Sequence, residues 1–464
     1  MFLRYIYDEK LAQASYFVAC PATGEALVID PARDITPYTD MAAVNGFTIT
    51  AAAETHIHAD FVSGARQLAE NAGATLLVSG EGGPNWQYTY LEDYPHATLQ
   101  DGDTFNLGNL EFVVMHTPGH TPEHLTFLVR ADGDYGLFTG DFVFVGDVGR
   151  PDLIEAAGDI DNTAEGMARA MFHALERFKT LPQHLMVMPG HGAGSACGTS
   201  LGAVPSSTVG YEKRFNPMLQ FTEEDAFVAA LLESQTTPPR YFPRMKQVNR
   251  DGPKVLGEKD APEKLPPLVL RNALENGATV IDTRDRFAFA ESHLPGTINM
   301  ELSGGFPNYT GALLDYERPF YAITDDRDTL VRGLRSVGLD NLAGTFPTKV
   351  SSTILRTTKF EMTSYANHTP GVVATDVQNG NFFVLDVRSP GEYADGHIDG
   401  ALNIPLGELP DRLTEIPHDQ TVLVHCHTGV RSAIATSILR LNGVDAVNLD
   451  GGYVAWTEHD QAAD

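Results

Sequence analysis

Thr55-His56-Ile57-His58-Ala59-Asp60-Phe61 sets two imidazoles and a carboxylate on alternate residues. It closely follows an apolar run, Phe47-Thr-Ile-Thr-Ala51, that reads as a buried strand. Three further motifs come later in the chain: His116-Thr-Pro-Gly-His120-Thr-Pro, Phe138-Thr-Gly-Asp141 and Pro189-Gly-His191-Gly. Each sits where a strand gives way to a loop, the place where a rigid scaffold presents ligands. Histidines 116, 120 and 124 have helical spacing, but Pro118, Gly119 and Pro122 forbid a helix there. Imidazoles and carboxylates gathered in this way point to a metal centre. The competing reading is a set of hydrogen-bonded structural histidines on an α/β sandwich.

Working outward, residues 1–250 alternate short apolar strands with helical segments. Residues 26–30, 110–115 and 185–188 read as buried strands, and 63–71 as a helix opening just after the His-rich loop. Segment 251–266 is rich in Pro, Gly and charge and reads as a linker. Beyond it the sequence repeats. Val280-Ile-Asp282-Thr-Arg284 is echoed by Val384-Leu-Asp386-Val-Arg388, and His293-Leu-Pro-Gly296-Thr-Ile298-Asn299 by His397-Ile-Asp-Gly400-Ala-Leu-Asn403. Both elements recur with one offset, so two copies of one α/β domain are expected, at 267–347 and 369–464, joined by a polar stretch at 348–368.

A chain of 464 residues exceeds what one hydrophobic core usually organises, in keeping with several domains. Met1 to Lys10 contain no apolar h-region, and no apolar run approaches the roughly 20 residues that span a bilayer. The three cysteines, Cys20, Cys197 and Cys426, are far apart, which suits a reducing, cytoplasmic setting rather than a disulfide framework. A formal charge of −29 argues against nucleic acid and anionic membranes as partners. Any anionic substrate must then be drawn in by local arginines.

The four His/Asp motifs, in order and spacing, resemble those of the metallo-β-lactamase superfamily, whose opening signature is T-H-x-H-x-D-H. The final His, which normally serves a second metal, is Phe61 here. Within that superfamily residues 1–250 look most like the persulfide dioxygenases, including Val145-Gly-Asp-Val-Gly-Arg150-Pro-Asp152 and His191-Gly-Ala-Gly-Ser-Ala-Cys197-Gly. The resemblance implies one Fe(II) per chain, held by His56, His120 and Asp141. That is a two-His, one-carboxylate set with open positions for dioxygen and a thiolate sulfur. It implies supporting roles for His58, Asp60 and His191 around the ligands. Arg150 is expected beside an anionic persulfide of a low-molecular-weight thiol such as glutathione; its alternative is a structural ion pair with Asp152. Arg214, in Tyr211-Glu-Lys213-Arg214, falls where related hydrolases bind the carrier's carboxylate. Cys197 reads as a small buried filler, with a relay thiol near the iron as the alternative.

Val422-Leu-Val-His425-Cys426-His427-Thr428-Gly429-Val430-Arg431-Ser432, followed by a helix expected over 433–441, is a strand, a Cys-led loop and a helix. With Asp386, Glu392, His397 and Gly451-Gly-Tyr-Val-Ala-Trp456, residues 370–460 resemble a rhodanese domain. Loop N–H groups, those of His427 and Gly429 among them, and the helix N-terminus form an anion cradle. With Arg431 this cradle favours a Cys426 thiolate and holds a terminal persulfide. The middle copy has no cysteine and reads as a silent scaffold or docking element.

The expected fold is thus α/β: an N-terminal metallo-β-lactamase αββα sandwich followed by two rhodanese-like domains. The expected activity is persulfide oxidation to sulfite, coupled to sulfur transfer that yields thiosulfate. The expected partners are a thiol persulfide, dioxygen and sulfite, and the chain is expected to form a homo-oligomer. The alternatives are a glyoxalase II-type zinc thioester hydrolase with an accessory rhodanese, and a sulfur carrier or sensor without oxygenase activity.

Overall fold

The computed structural model describes residues 1–152, 163–192, 204–235, 237–257, 262–349 and 361–463. The chain forms two compact units, Met1–Lys259 with Arg335–Gly338, and Asp260–Leu334 with Leu339–Asp464.

The first unit is built on two six-stranded sheets. One runs in chain order: β1 (Phe2–Asp8), β2 (Gln13–Ala19), β3 (Glu25–Ile29), β4 (Thr48–Ala53), β5 (Thr75–Ser79) and β6 (His96–Leu99). It is antiparallel as far as β3 and parallel from there on. The other comprises β7 (Thr104–Leu107), β8 (Leu110–His116), β9 (Leu125–Arg130), β10 (Asp134–Gly140), β11 (Met186–Pro189) and β12 (Ser207–Thr208), in the order β12-β11-β10-β9-β8-β7. Only β10 and β11 pair in parallel in this second sheet.

The two-residue period of a strand explains the layering. On β2, Tyr16 and Val18 enter a core shared by the two sheets, while Phe17 and Ala19 face the helices Thr36–Asn45 and Ala65–Ala72. On the second sheet Phe112, Phe127, Phe138 and Met188 point into the same shared core. Leu137 and Val187 pack instead against the helices Ala164–Lys179 and Glu224–Glu233. Helix, sheet, sheet, helix is therefore the stacking order. Phe112 lies parallel to Phe105 with ring centroids 4.8 Å apart, and Tyr16 meets Phe138 edge-on at 5.0 Å. Strands β4, β8, β10 and β11 all run into His- or Asp-bearing loops at their carboxyl ends.

The second unit contains the sequence repeat. Its first sheet, β13 (Val280–Asp282), β14 (Thr297–Asn299), β15 (Phe320–Ile323) and β16 (Leu342–Phe346), has the order β14-β13-β15-β16. The next is β17 (Asn367–His368), β18 (Phe383–Asp386), β19 (Leu402–Asn403), β20 (Val422–His425) and β21 (Ala446–Leu449), in the order β17-β21-β20-β18-β19. Apart from β17 the two orders correspond, and every pair is parallel.

Side chains repeat as well as strands. Arg284 is doubly bonded to Asp282 as Arg388 is to Asp386. Asn299 and Asn403 each donate to the two matching carbonyls, and His293 and His397 stack on Phe289 and Tyr393. Ile323 pairs with Asp282 as His425 pairs with Asp386. Thr324 therefore stands where Cys426 stands in the second copy.

Two local features differ from the sequence pattern. The helix after Cys426 spans Val430–Leu441 and begins ahead of residue 433, because Gly429 adopts φ 100° and turns the chain straight into it. The Pro/Gly-rich stretch expected as a linker is tied down at both ends. Arg33, Arg66 and Gln67 hold the carbonyls of Lys254, Gly252, Pro253 and Leu256, and Glu263 and Leu265 pair with Thr345 along β16. Among the described residues no helix is long and apolar enough to cross a membrane.

If the shared inter-sheet core holds the first unit together, Phe112→Ala should destabilise its unfolding transition by roughly 3–5 kcal/mol. Val44→Ala, at a site 84% exposed, should change it by less than about 0.5 kcal/mol. Urea denaturation of both variants checks this, and an unchanged Phe112→Ala midpoint would refute the packing assignment.

Candidate functional site

Asp30 ends β3 and is the anchor of the His-rich loop. Its carboxylate accepts from the Thr55 backbone N–H at 2.7 Å and from the Thr55 hydroxyl at 2.8 Å. The Thr55 hydroxyl hydrogen is thereby committed, so its oxygen accepts from His56 Nδ1–H at 3.0 Å. That fixes the tautomer in which His56 Nε2 carries the lone pair. His120 is set in the same way, its Nδ1–H donating to the Arg150 carbonyl at 2.9 Å, and His191 Nδ1–H donates to the Ala12 carbonyl at 3.1 Å. Gly140, with φ 48°, brings Asp141 in. A Cβ at Gly140 would lie 2.5 Å from Thr55 Oγ1, so both the space and the backbone angle call for glycine.

Ligand atoms of His56, His120 and Asp141 lie within 4.8 Å of one another, all buried. Asp141 Oδ2 is 3.9 Å from His56 Nε2 and 3.4 Å from His120 Nε2. Burial holds the His56 imidazolium pKa far below its ordinary value and that of His120 at about 3, so both rings are neutral, as metal ligation requires. His56 Nε2 is buried without a hydrogen-bond partner, an arrangement that costs free energy unless a cation takes the lone pair. The donor set fits a divalent metal ion.

His58 presents its Nε2 to a different pair of carboxylates, while its Nδ1 is buried without a hydrogen-bond partner. Its Nε2 lies 3.2 Å from both Asp30 Oδ1 and Glu54 Oε2. Burial alone would lower its pKa, but these two carboxylates outweigh burial and raise it well above the ordinary value. Asp30, Glu54 and His58 are themselves close enough to hold a cation, yet His58 already sits between the two carboxylates. Phe61 covers the ring at 4.4 Å. Asp60 and His191 lie beside the first set, since His191 Nε2 is 3.3 Å from Asp60 Oδ2 and 3.4 Å from Asp141 Oδ2. Asn249 clamps the loop by donating to the His58 and Phe61 carbonyls.

Of the arginines, Arg150 is 2% exposed and forks onto Asp152 at 2.8 Å through both Nε and Nη2. Arg214 is exposed on the helix Val209–Phe215, with its guanidinium 5.4 Å over the Phe215 ring. Cys197 lies outside the described residues.

In the second unit Cys426 is 1% exposed at the carboxyl end of β20. Its Sγ accepts from the Gly429 N–H at 3.1 Å and from the Ser432 hydroxyl at 3.5 Å. His427 is exposed beside it. Arg431 forks onto Glu392, at 2.7 and 2.6 Å. Burial pushes the Glu392 carboxyl up, but the bonds from Arg431 and Ser389 outweigh it and hold it at about 2. A loop whose N–H and O–H groups converge on one sulfur can stabilise a thiolate or a persulfide anion.

Asp30, Thr55, Glu54 and Asn249 were not singled out from the sequence. For Asp30 and Glu54 a signal existed: acidic residues at the carboxyl ends of apolar strands, on the edge where the histidines gather. Asn249 carries none, because its partners are nearly two hundred residues away in the chain.

The metallo-beta-lactamase superfamily model matches residues 9–191, and the rhodanese-like domain model matches 369–459. A crystal structure of a metallo-beta-lactamase from Staphylococcus aureus subsp. aureus COL aligns with a TM-score of 0.67 at 37% identity, covering 75% of this chain and 98% of that one. A beta-lactamase hydrolase-like protein of Xylella fastidiosa (strain 9a5c) is 29% identical, over 52% of this chain and 58% of its own length. A hydroxyacylglutathione hydrolase of Xanthomonas campestris pv. campestris (strain B100) is 34% identical, over 36% of this chain and 56% of its own. The chain spans less than two thirds of these two curated relatives. The sandwich, the placement of the His/Asp motifs and these matches agree: the chain belongs to the metallo-beta-lactamase superfamily and carries a rhodanese-like domain over residues 369–459.

Proposed function

We propose that the first unit is a mononuclear non-haem iron persulfide dioxygenase and that Cys426 transfers sulfane sulfur to the sulfite it makes. The observation that carries this reading is the placement of His58 Nε2 between Asp30 and Glu54, in a group separate from His56, His120 and Asp141. With His58 Nε2 facing Asp30 and Glu54, and Phe61 in place of a further ligand, His56, His120 and Asp141 form a two-His, one-carboxylate set. Such a set suits Fe(II) with open coordination positions. A ferrous ion supplies the redox chemistry that ground-state dioxygen requires.

The rest falls to the chain's own residues. His56, His120 and Asp141 bring one negative charge to a divalent ion, so an anionic sulfur ligand is not repelled. His191 Nε2, beside Asp60 and Asp141, is positioned to take a proton from the water that provides the third oxygen. The balance is R–S–S⁻ + O₂ + H₂O → R–S⁻ + SO₃²⁻ + 2 H⁺: the terminal sulfur is oxidised and dioxygen takes four electrons. At the second site the Cys426 thiolate attacks the sulfane sulfur of R–S–SH, expelling R–S⁻. Sulfite then attacks the outer sulfur of the cysteine persulfide, giving thiosulfate and restoring the thiolate.

A second reading is a two-metal thioester hydrolase. The contacts of His191 with Asp60 and Asp141 favour it, as does the likeness to a hydroxyacylglutathione hydrolase. Metal content separates the two. Anaerobically purified protein should hold about one iron per chain, and His56→Ala or Asp141→Ala should empty the site. Two tightly held zinc ions with thioester turnover would sink the dioxygenase reading. Thr55→Val removes the acceptor that orients His56, and chelator competition should show metal affinity about 10–100-fold weaker.

Cys426→Ser should leave oxygen uptake intact and shift the product from thiosulfate to sulfite, because a serine hydroxyl forms no persulfide. Ion chromatography under limiting persulfide checks it. Thiosulfate formed at the wild-type rate, after subtraction of the spontaneous reaction, would remove Cys426 from the pathway.

A further inference from the structure

The middle copy of the repeat has Thr324 in place of the nucleophile, so it carries no persulfide of its own. Its residues nonetheless reach the Cys426 loop of the other copy. Strand β14 lies along the helix Val430–Leu441, with the Asn299 N–H donating to Ser437 Oγ at 3.1 Å. At the other end of that helix, Arg286 Nε lies 3.9 Å from where a Cβ on Gly429 would stand, and Gly429 is the loop residue whose N–H bonds Cys426 Sγ. Arg286 Nη1 binds Glu301 at 3.1 and 3.3 Å, but its Nε is a buried donor without a partner. Burial pushes the hydroxyl pKa of Tyr309, also of the middle copy, up; Arg431 opposes this, and Cys426, Glu301 and Glu392 add to it. Meanwhile both Nη groups of Arg431 are engaged by Glu392. The cradle's own guanidinium is already matched by a carboxylate.

We infer that the middle copy completes the Cys426 site, presenting Arg286 Nε beside Gly429 to a sulfur oxyanion docked on the loop. The ligand class is a small dianion, thiosulfate as donor or sulfite as acceptor. Nε–H donates to an oxyanion oxygen, while Nη1 stays on Glu301, whose carboxylate offsets part of the guanidinium charge. In the donor direction the Cys426 thiolate attacks the outer sulfur of thiosulfate. The S–S bond of thiosulfate breaks, a new S–S bond forms on Cys426, and sulfite leaves with the electron pair. Arg286 acts on the charge that enters and leaves. This rests on the sulfur-transfer reading of Cys426. It gives the copy without a nucleophile a function in anion recognition instead of support alone.

The test uses the full chain, thiosulfate as donor and cyanide as acceptor. Arg286→Gln should raise KM for thiosulfate about tenfold, the scale of one lost charge-assisted hydrogen bond. Its kcat should stay within about twofold, since the nucleophile is untouched. Arg286→Lys should recover part of that loss. Glu301→Gln, which removes the carboxylate that offsets the guanidinium, should move KM the opposite way, below wild type. A merely structural pair would make both single variants worse. Independently, the ratio of Cys426 alkylation rates by iodoacetate and iodoacetamide should fall in Arg286→Gln and rise in Glu301→Gln. Unchanged thiosulfate KM and unchanged alkylation ratio in Arg286→Gln, with wild-type turnover intact, would overturn the inference. Absence of Cys426 persulfide in the wild-type chain would overturn the sulfur-transfer reading instead, and the alkylation ratio would still decide the role of Arg286.

Discussion

The buried carboxylate of Asp30 is the constraint on which the first unit's chemistry depends. One side chain at the end of β3 accepts from the Thr55 N–H and hydroxyl and faces His58. Through Thr55 it sets the tautomer of His56, and with Glu54 it draws His58 aside. A metal centre is usually described by its ligands, yet here the arrangement of the candidate ligands is decided one layer further out. The same carboxylate orients His56 through Thr55 and lies 3.2 Å from His58 Nε2. Asp30 itself has φ 50°, an uncommon angle for a non-glycine residue, and the bonds it makes on all sides hold it there.

Much of this was legible in the sequence, for identifiable reasons. The layered first unit could be read because strands of alternating or continuous apolar character end in His-bearing loops. His56, His120 and Asp141 do converge, and Phe61 packs against the His58 ring. The repeat was legible because Asp282/Asp386, Arg284/Arg388 and Asn299/Asn403 recur at one offset, and each trio makes the same hydrogen bonds in the structure. What escaped was long-range. Asn249 holds the His58–Phe61 turn from a helix far along the chain, and no local pattern announces such a partner. The start of the helix after Cys426 escaped because one left-handed glycine, Gly429, replaces a longer turn.

Arginines illustrate how charge alone under-specifies a role. Arg150 and Arg431 both looked like anion binders in the sequence, and both are forked onto carboxylates, Asp152 and Glu392. A guanidinium so matched is a strut first, although a partner exchange on ligand binding remains open to it. Arg286 drew no attention, since it lies in a copy without a cysteine. The repeat made it visible only once the strand register had put Thr324 opposite the position of Cys426 and the two copies lay side by side in one unit.

The central proposal is that the first unit binds one metal ion, and only one, with His58 Nε2 facing Asp30 and Glu54 instead. Anomalous diffraction at the iron edge from anaerobically grown crystals tests that claim directly. The account predicts a single peak bounded by His56, His120 and Asp141, with His58 still between Asp30 and Glu54. Two peaks, the second among Asp60, Asp141 and His191, or His58 rotated onto the metal, would contradict it.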